Sequence, residues 1–464
     1  MSWTASRRSA AIALLGLWAV QEGNAFVLPP NARATAGAAR IVGSSRPAPA
    51  CRKHERARRL CMAEDGGVTR DEFSKQVAAS LLAGVATATG ALPAMAKGEL
   101  RAPTAAGSRV NKDPVSLLQY GLPFKCPAAR ELQATVELVK YDVYLKNWGR
   151  GISDLQKART IMSSKKADLL KAVRAGEGDQ AEALLATIDT QIGDLEKILG
   201  QSEGTGTVAE REKLDSLYPA QEALALSVGD LEELMVPKGY SAKLNANIPE
   251  EYANLPRLLG RATVEMVLEK ADKGKFDVQG TLYDKVKLSM VLDGYTAPLT
   301  AGCIVDLVQK GFYNNMPIVR SDGFVVQTGD PDVKGDLDDY IPPGSSEARK
   351  IPLEIAVKGD EFPMYGVTTE DDNRGYSATV LPFQAYGALG MARSEFEADS
   401  ASSQFFWLLF DSDLTPAGKN LLDGRYSCLG YTTKGAELLE DVKEGDIIRT
   451  AKVIKGLENF SKTG

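Results

Sequence analysis

Histidine, the usual base and metal ligand near neutral pH, occurs once in this chain, at His54. It lies in a stretch read below as removed, so the remaining chain has none. Mechanisms that need a histidine base or a histidine metal ligand are thereby excluded. Acidic residues cluster at Asp336, Asp338 and Asp339 and again at Glu370, Asp371 and Asp372. They could offer oxygen ligands to calcium, but no EF-hand spacing accompanies them, and solvated loops are the expected reading. Beyond the leader stand three cysteines, Cys126, Cys303 and Cys428. An odd number leaves at least one thiol unpaired in a monomer. Buried inert thiols are expected, with a Cys303–Cys428 bridge as the alternative. Neither a metal nor a cofactor is expected.

The chain that must position such residues is 464 long, which at roughly 100–200 residues per domain implies two or three units. With 44% hydrophobic and 25% charged residues it has the composition of a folded globular protein. No apolar run reaches the ~18–20 residues that span a bilayer, so a polytopic membrane protein is excluded. A formal net charge of −6 offers no basic surface for nucleic acid.

Residues 1–96 read as a leader. Arg7 and Arg8 precede an apolar run from Ala10 to Val20 that ends near Ala25, the pattern of a secretory signal. From Phe26 to Met62 the chain is basic and rich in Ala and Ser, with Glu55 its one acid, like an organelle transit peptide. A second apolar run, Val77 to Leu92, closes on Ala94-Met95-Ala96 and places the mature start at Lys97. The alternative is a membrane anchor followed by a linker. Signals in this series resemble targeting to the thylakoid lumen of a complex plastid, by a Sec-type route because no twin arginine precedes the second run. Removing the leader makes the remainder more acidic.

A loose segment is expected over 97–126, then helix over 127–240. Pro127 suits a first helical turn, and Leu138, Leu145 and Ile152 recur at seven-residue spacing. Asp179 is a candidate N-cap ahead of Leu184, Ile188, Ile192, Leu195 and Leu199. Leu217, Leu224 and Leu231 stripe the last helix. Gly-rich turns bring successive helices back together, so the stripes are read as the shared core of an antiparallel four-helix bundle rather than as a zipper for a partner. After a linker over 241–261 the pattern turns to strands, starting at Ala262 with Thr263–Leu268 and Leu288–Leu292.

Three blocks follow in order: GFVVQTGD from Gly323, SSQFFW from Ser402 and LLDGRYSCLG from Leu421. Together they resemble the cyclophilins, peptidyl-prolyl isomerases built on a closed eight-stranded barrel. PEEYANLPRLLGRATVEM, VLDGYTAPLTAG and RSDGFVVQTGDP extend the resemblance to the large multidomain thylakoid-lumen cyclophilins of the photosystem II assembly type. The fold class expected is α+β multidomain: an N-terminal four-helix bundle, then a cyclophilin-like barrel over 262–464 with a long insertion at about 331–390.

The resemblance implies a site. Phe324 and Phe406 would wall a proline pocket, Gln327 would bond the peptide backbone, and Arg320 would supply the guanidinium that stabilises the twisted amide. Val325, Ala392, Leu421 and Tyr426 would line the groove. Several positions depart from the family's pattern. Arg320 precedes Phe324 by one residue fewer than usual, Val325 stands for a methionine, Leu421 for a tryptophan, Tyr426 for a histidine, and Arg393 for a small polar residue. A shift of about 3 Å per residue of strand at a reacting bond can cost ~10²-fold in rate. Weak or absent isomerase activity and poor cyclosporin inhibition are therefore expected.

Three readings stay open: a chaperone or scaffold for assembly and repair of photosystem II, an active isomerase whose helical domain regulates access, and a regulator of a thylakoid protein phosphatase. The partners expected are lumenal segments of photosystem II subunits, with an intramolecular contact between bundle and barrel. Attachment to the thylakoid membrane would be peripheral at most.

Overall fold

The computed structural model describes residues 110–202, 206–333, 340–409 and 420–462. The leader, its cleavage sites and the acidic cluster at Asp336–Asp339 lie outside the described residues. The structure begins with a helix where a loose segment was expected: α1, Pro114–Gly121. Asp113 caps it, its carboxylate accepting from the Val115 N–H at 3.2 Å, and Pro114 fits the first turn.

Six helices follow: α2 (Pro127–Tyr144), α3 (Trp148–Ser164), α4 (Lys166–Ala172), α5 (Gly178–Leu199), α6 (Val208–Glu233) and α7 (Tyr240–Ala246). α2 packs on α3 and α6, and α5 packs on the same two helices. Their shared core holds Leu132, Val136, Ile188, Ile192, Leu217 and Leu224. Of the seven-residue row Leu138, Leu145, Ile152, the last packs against that core and the first two do not belong to it. Leu145 is 52% exposed, and α2 buries Leu132, Val136, Val139 and Val143 instead. The break falls at Lys146 (φ +56°), just past the end of α2. Asp179 sits inside α5, whose cap position is Glu177. The segment expected as a linker over 241–261 carries α7 and the first strand.

The strands are β1 (Arg257–Leu258), β2 (Arg261–Glu269), β3 (Phe276–Val278), β4 (Thr281–Tyr283), β5 (Val286–Asp293), β6 (Met316–Ser321), β7 (Val325–Thr328), β8 (Glu354–Ile355), β9 (Met364–Tyr365), β10 (Ala388–Met391), β11 (Phe405–Leu408), β12 (Cys428–Lys434), β13 (Ile447–Lys455) and β14 (Phe460–Ser461). Eight close into a barrel in the order β10-β11-β7-β6-β13-β2-β5-β12. β2 alternates half-buried and buried residues along its whole length, as a strand with one face in a core must. Its inward Val264, Met266 and Leu268 meet Met290, Val326, Phe405 and Trp407 in one core. Closure leaves these eight strands without a free edge. A short clasp, β1 paired with β14, lies outside the barrel.

Helix α8 (Pro298–Gln309) is buried along nearly all its length. Its first turn is capped from the insertion: Glu354 accepts from the N–H groups of Leu299 (2.9 Å) and Thr300 (2.6 Å). Burial lifts the Glu354 carboxyl to about 7 against the pull of those donors. Cys126, Cys303 and Cys428 are buried free thiols, so no Cys303–Cys428 bridge forms. Burial pushes the Cys303 thiol up to about 12.

Bundle and barrel touch through α1 and also directly, with Tyr295 from just past the end of β5 buried in the bundle core. Gln119 Nε2 donates to the Ala225 carbonyl of α6 at 2.6 Å, while Arg261 of β2 donates to the Leu118 carbonyl. Lys455 of β13 pairs with Asp230 of α6 at 3.3 Å. No described helix is long and apolar enough to cross a membrane.

Candidate functional site

The β6–β7 hairpin is cut to a tight turn. Gly323 takes φ +83°, a conformation open to glycine, and Asp322 accepts from the N–H groups of Phe324 (3.0 Å) and Val325 (3.1 Å). The pairing register slips between Ile318 and Arg320, so the bulge and the short turn together set Arg320 directly opposite Gln327. Arg320 and Gln327 are thus paired across the hairpin. The guanidinium, however, is held by its own turn: Arg320 Nε donates to Asp322 Oδ2 at 2.7 Å. Partial burial tends to raise the Asp322 carboxyl, but the Val325 and Phe324 N–H groups and Arg320 outweigh it and hold it below the usual carboxylate range. A charge whose counter-ion sits in the same turn has less field left for a ligand in the groove.

Gln327 lies opposite Phe406 on β11, and its Nε2 donates to Gln404 Oε1 at 2.6 Å. The Gln404 carbonyl accepts from the Ala392 N–H at 3.0 Å. These contacts tie β7, β11 and the end of β10 into one face.

Phe406, Ala392, Val325 and Tyr426 gather in a single apolar cluster on the outer face of the barrel. Phe324 and Leu421 are not in it. Phe324 stands at the hairpin tip, 56% exposed, and Leu421 is 64% exposed. Leu422, not Leu421, packs against the cluster.

The Phe406 ring is nearly sealed, at 6% exposed. Phe383, from the insertion, stacks beside it with ring centres 6.0 Å apart and planes 19° apart. Tyr426 meets it edge-on at 6.0 Å and 82°. Phe383 is fixed at both ends of its backbone, since its N–H donates to Asp423 Oδ1 (2.7 Å) and Asn420 Nδ2 donates to its carbonyl (2.9 Å). Leu117 and Leu118 of α1 belong to the same cluster, with Leu381. Arg393 lies over the Tyr426 ring at 5.1 Å, at the rim of the cluster, and donates to the Arg425 carbonyl at 2.8 Å.

Sequence reasoning missed Phe383, Leu117 and Leu118. The run LPFQAY carries no periodic signal, and only the Asp113-Pro114 pair hints at α1. The second acidic cluster is engaged elsewhere: Glu370 pairs with Arg425 at 3.0 Å, and Arg374 pairs with Asp360 at 2.6 Å and with Asp372. Among the described residues no group of acids, cysteines or histidines gathers as metal ligands would.

Known proteins match this sequence in both its helical and its barrel part. Residues 277–458 match the family described as cyclophilin type peptidyl-prolyl cis-trans isomerase/CLD. Residues 113–236 match the domain described as peptidyl-prolyl cis-trans isomerase CYP38-like, PsbQ-like domain. A Synechocystis protein provisionally named a thylakoid lumen peptidyl-prolyl cis-trans isomerase is 42% identical over 349 residues, covering 75% of this chain and 84% of that protein. The chloroplastic peptidyl-prolyl cis-trans isomerase CYP38 of Arabidopsis thaliana is 38% identical over 353 residues, covering 75% of each. The chloroplastic isomerase CYP37 of the same plant is 30% identical over 349 residues, covering 72% of this chain and 68% of that protein. These relatives are named for the thylakoid lumen or the chloroplast, and the thylakoid lumen is this chain's location too. With a barrel of the family's strand number, the family's motifs on one face and relatives matched across both domains, the chain belongs to the cyclophilin-type peptidyl-prolyl cis-trans isomerases, in the group that carries a CYP38-like helical domain.

Proposed function

We propose that this protein acts in the thylakoid lumen as a cyclophilin-like chaperone or scaffold. It would hold lumenal segments of photosystem II subunits during assembly and repair, with little or no isomerase activity of its own. The observation that carries this reading is the covered Phe406 ring. Twisting an Xaa-Pro bond has a barrier of ~18–20 kcal/mol, and a 10⁵-fold acceleration needs about 7 kcal/mol of preferential binding to the twisted amide. That preference requires a proline ring seated on an aromatic floor beside an available guanidinium. Here the floor is 6% exposed and the guanidinium is paired with Asp322.

A second reading has its own support. Arg320 remains opposite Gln327, and α1 joins the cluster that covers Phe406, so a barrel relieved of α1 could regain catalysis.

A proline-isomerisation assay decides between them, run on the chain from Lys97 and on its Arg320→Ala variant. Both are expected within about twofold of the uncatalysed rate. A wild-type chain that exceeds that rate severalfold and loses the gain with Arg320→Ala would replace the scaffold by the regulated isomerase.

A further inference from the structure

β12 ends at Lys434, Gly435 turns the chain at φ +80°, and a short 3-10 helix, Ala436–Asp441, follows. Three residues complete one revolution of such a helix, so residues three apart stand one above the other. Leu438 and Leu439 go into the barrel core, which leaves Glu437 and Glu440 stacked on the exposed side. Like charges so placed repel, and a cation between them would relieve the repulsion. The neighbouring lysines are engaged elsewhere. Lys443 pairs with Asp441 at 3.2 Å, Lys434 with Glu222 of α6 at 3.6 Å, and Lys270 with Asp441 and Asp446, each at 3.2 Å. Among the described residues, neither Glu437 nor Glu440 has an ion-pair partner.

The two carboxylates border a cleft of about 670 Å³ between the β6–β7 turn, the end of β11 and the end of β12. That volume suits a small ligand or a large side chain with its backbone. Half-buried Tyr386 and Leu409 give the cleft an apolar wall. Burial, with Glu440 and Glu437, pushes the Tyr386 hydroxyl up to about 12, so the ring and both carboxylates share one neighbourhood. Thr432 also borders the cleft. It is fully buried, and its Oγ1 has no hydrogen-bond partner. The large majority of buried hydroxyls are paired, so this orphan is an independent sign that a donor belongs here. Among the described lining residues Lys112 is the one cation against two acids, which leaves the cleft negative.

We propose that this cleft is a second binding site, for an arginine side chain of a partner polypeptide. The guanidinium lies on the Tyr386 ring, spans the Glu437 and Glu440 carboxylates, and turns an N–H toward Thr432. Arginine fits better than lysine because its flat, weakly hydrated head stacks on an aromatic face and offers five donors to separate acceptors. The cleft shares no residue with the cluster around Phe406, so the proposal goes beyond the groove reading and stands without it.

The test titrates the chain from Lys97 with acetyl-Ala-Arg-Ala-Ala-amide and with the same peptide carrying citrulline, the neutral isostere of arginine. Calorimetry is expected to show the citrulline peptide at least about tenfold weaker, and the arginine peptide weakening as salt is added. Glu437→Gln with Glu440→Gln is expected to cost about tenfold in affinity for the arginine peptide. No melting temperature should be lost, since both side chains are exposed. Tyr386→Leu is expected to weaken binding severalfold. An excess of acetyl-Ala-Ala-Pro-Ala-amide should leave the affinity unchanged. No binding, equal affinity for the two peptides, or binding that survives both glutamines would overturn the proposal. Competition by the proline peptide would also overturn it, by placing the ligand in the groove. A severalfold gain in affinity on Arg101→Gln with Arg109→Gln would overturn it too, because the occupant would then be the chain's own N-terminal segment.

Discussion

Raising the pH from 5.5 to 8.5 is expected to lower the melting temperature of the wild-type chain, and Glu232→Gln is expected to remove much of that loss. Glu232 of α6 is fully buried, and neither carboxylate oxygen has a hydrogen-bond partner. Burial raises its carboxyl to about 8, against the pull of Arg130, whose guanidinium stands 3.6 Å away. Glu137 of α2 pushes in the same direction as burial, and Arg261 of β2 opposes it. Since the folded chain holds a proton that the unfolded chain releases near pH 4.5, ionisation of the group takes nothing from stability below that value. Its cost grows as pH rises toward 8, reaching on the order of 4–5 kcal/mol once both states are ionised. Asp142, raised to about 6 by burial and by Asp154 beside it, adds loss of the same sign at lower pH. Glutamine at 232 has no proton to lose. Arg130 keeps its bonds to the Gln119 (2.7 Å) and Leu122 (3.1 Å) carbonyls and its place over the Phe124 ring. The idea fails if Glu232→Gln melts with the wild-type slope between pH 7 and 8.5.

Leu118→Asp is expected to uncouple the bundle from the barrel. Leu118 is 5% exposed and shares a cluster with Phe383 and Phe406, while its carbonyl takes Arg261. Losing the leucine and placing a carboxylate there costs roughly 3–5 kcal/mol. Calorimetry should then resolve two transitions in place of one, and trypsin should cut ahead of β1. Leu118→Ala should show a smaller shift without the split. A Leu118→Asp chain that melts in one wild-type transition would show that α1 does not join the two parts.

Much of this was legible in the sequence where periodicity or a motif was strong. The alternating residues of β2, the stripe Leu217–Leu224–Leu231 and the blocks around Gln327 and Phe406 each fixed a face before any coordinates. What stayed hidden depended on distant contacts. α1 is eight residues long, too short to be stable from its own propensity, and exists because α6 and the barrel grip it. Phe383 matters only because Asp423 and Asn420 hold it beside a ring on another strand. Arg320 shows the reverse case. Its altered spacing was plain, but not that a bulge and a short turn would pair it with Gln327 while Asp322 held its charge.

The pairing of β1 with β14 bears on how the molecule would carry load. Arg257 faces Ser461 and Leu258 faces Phe460, so the strand leading out of the helices is tied to the last described strand. Once the contacts of α1 and α6 with the barrel have let go, a pull on the helical half, exerted by a bound partner, arrives along the chain at this two-rung clasp before it reaches any of the eight closed strands. The clasp would peel as a zipper while the barrel stayed shut, acting as a mechanical fuse between the half that is pulled and the half that holds its shape.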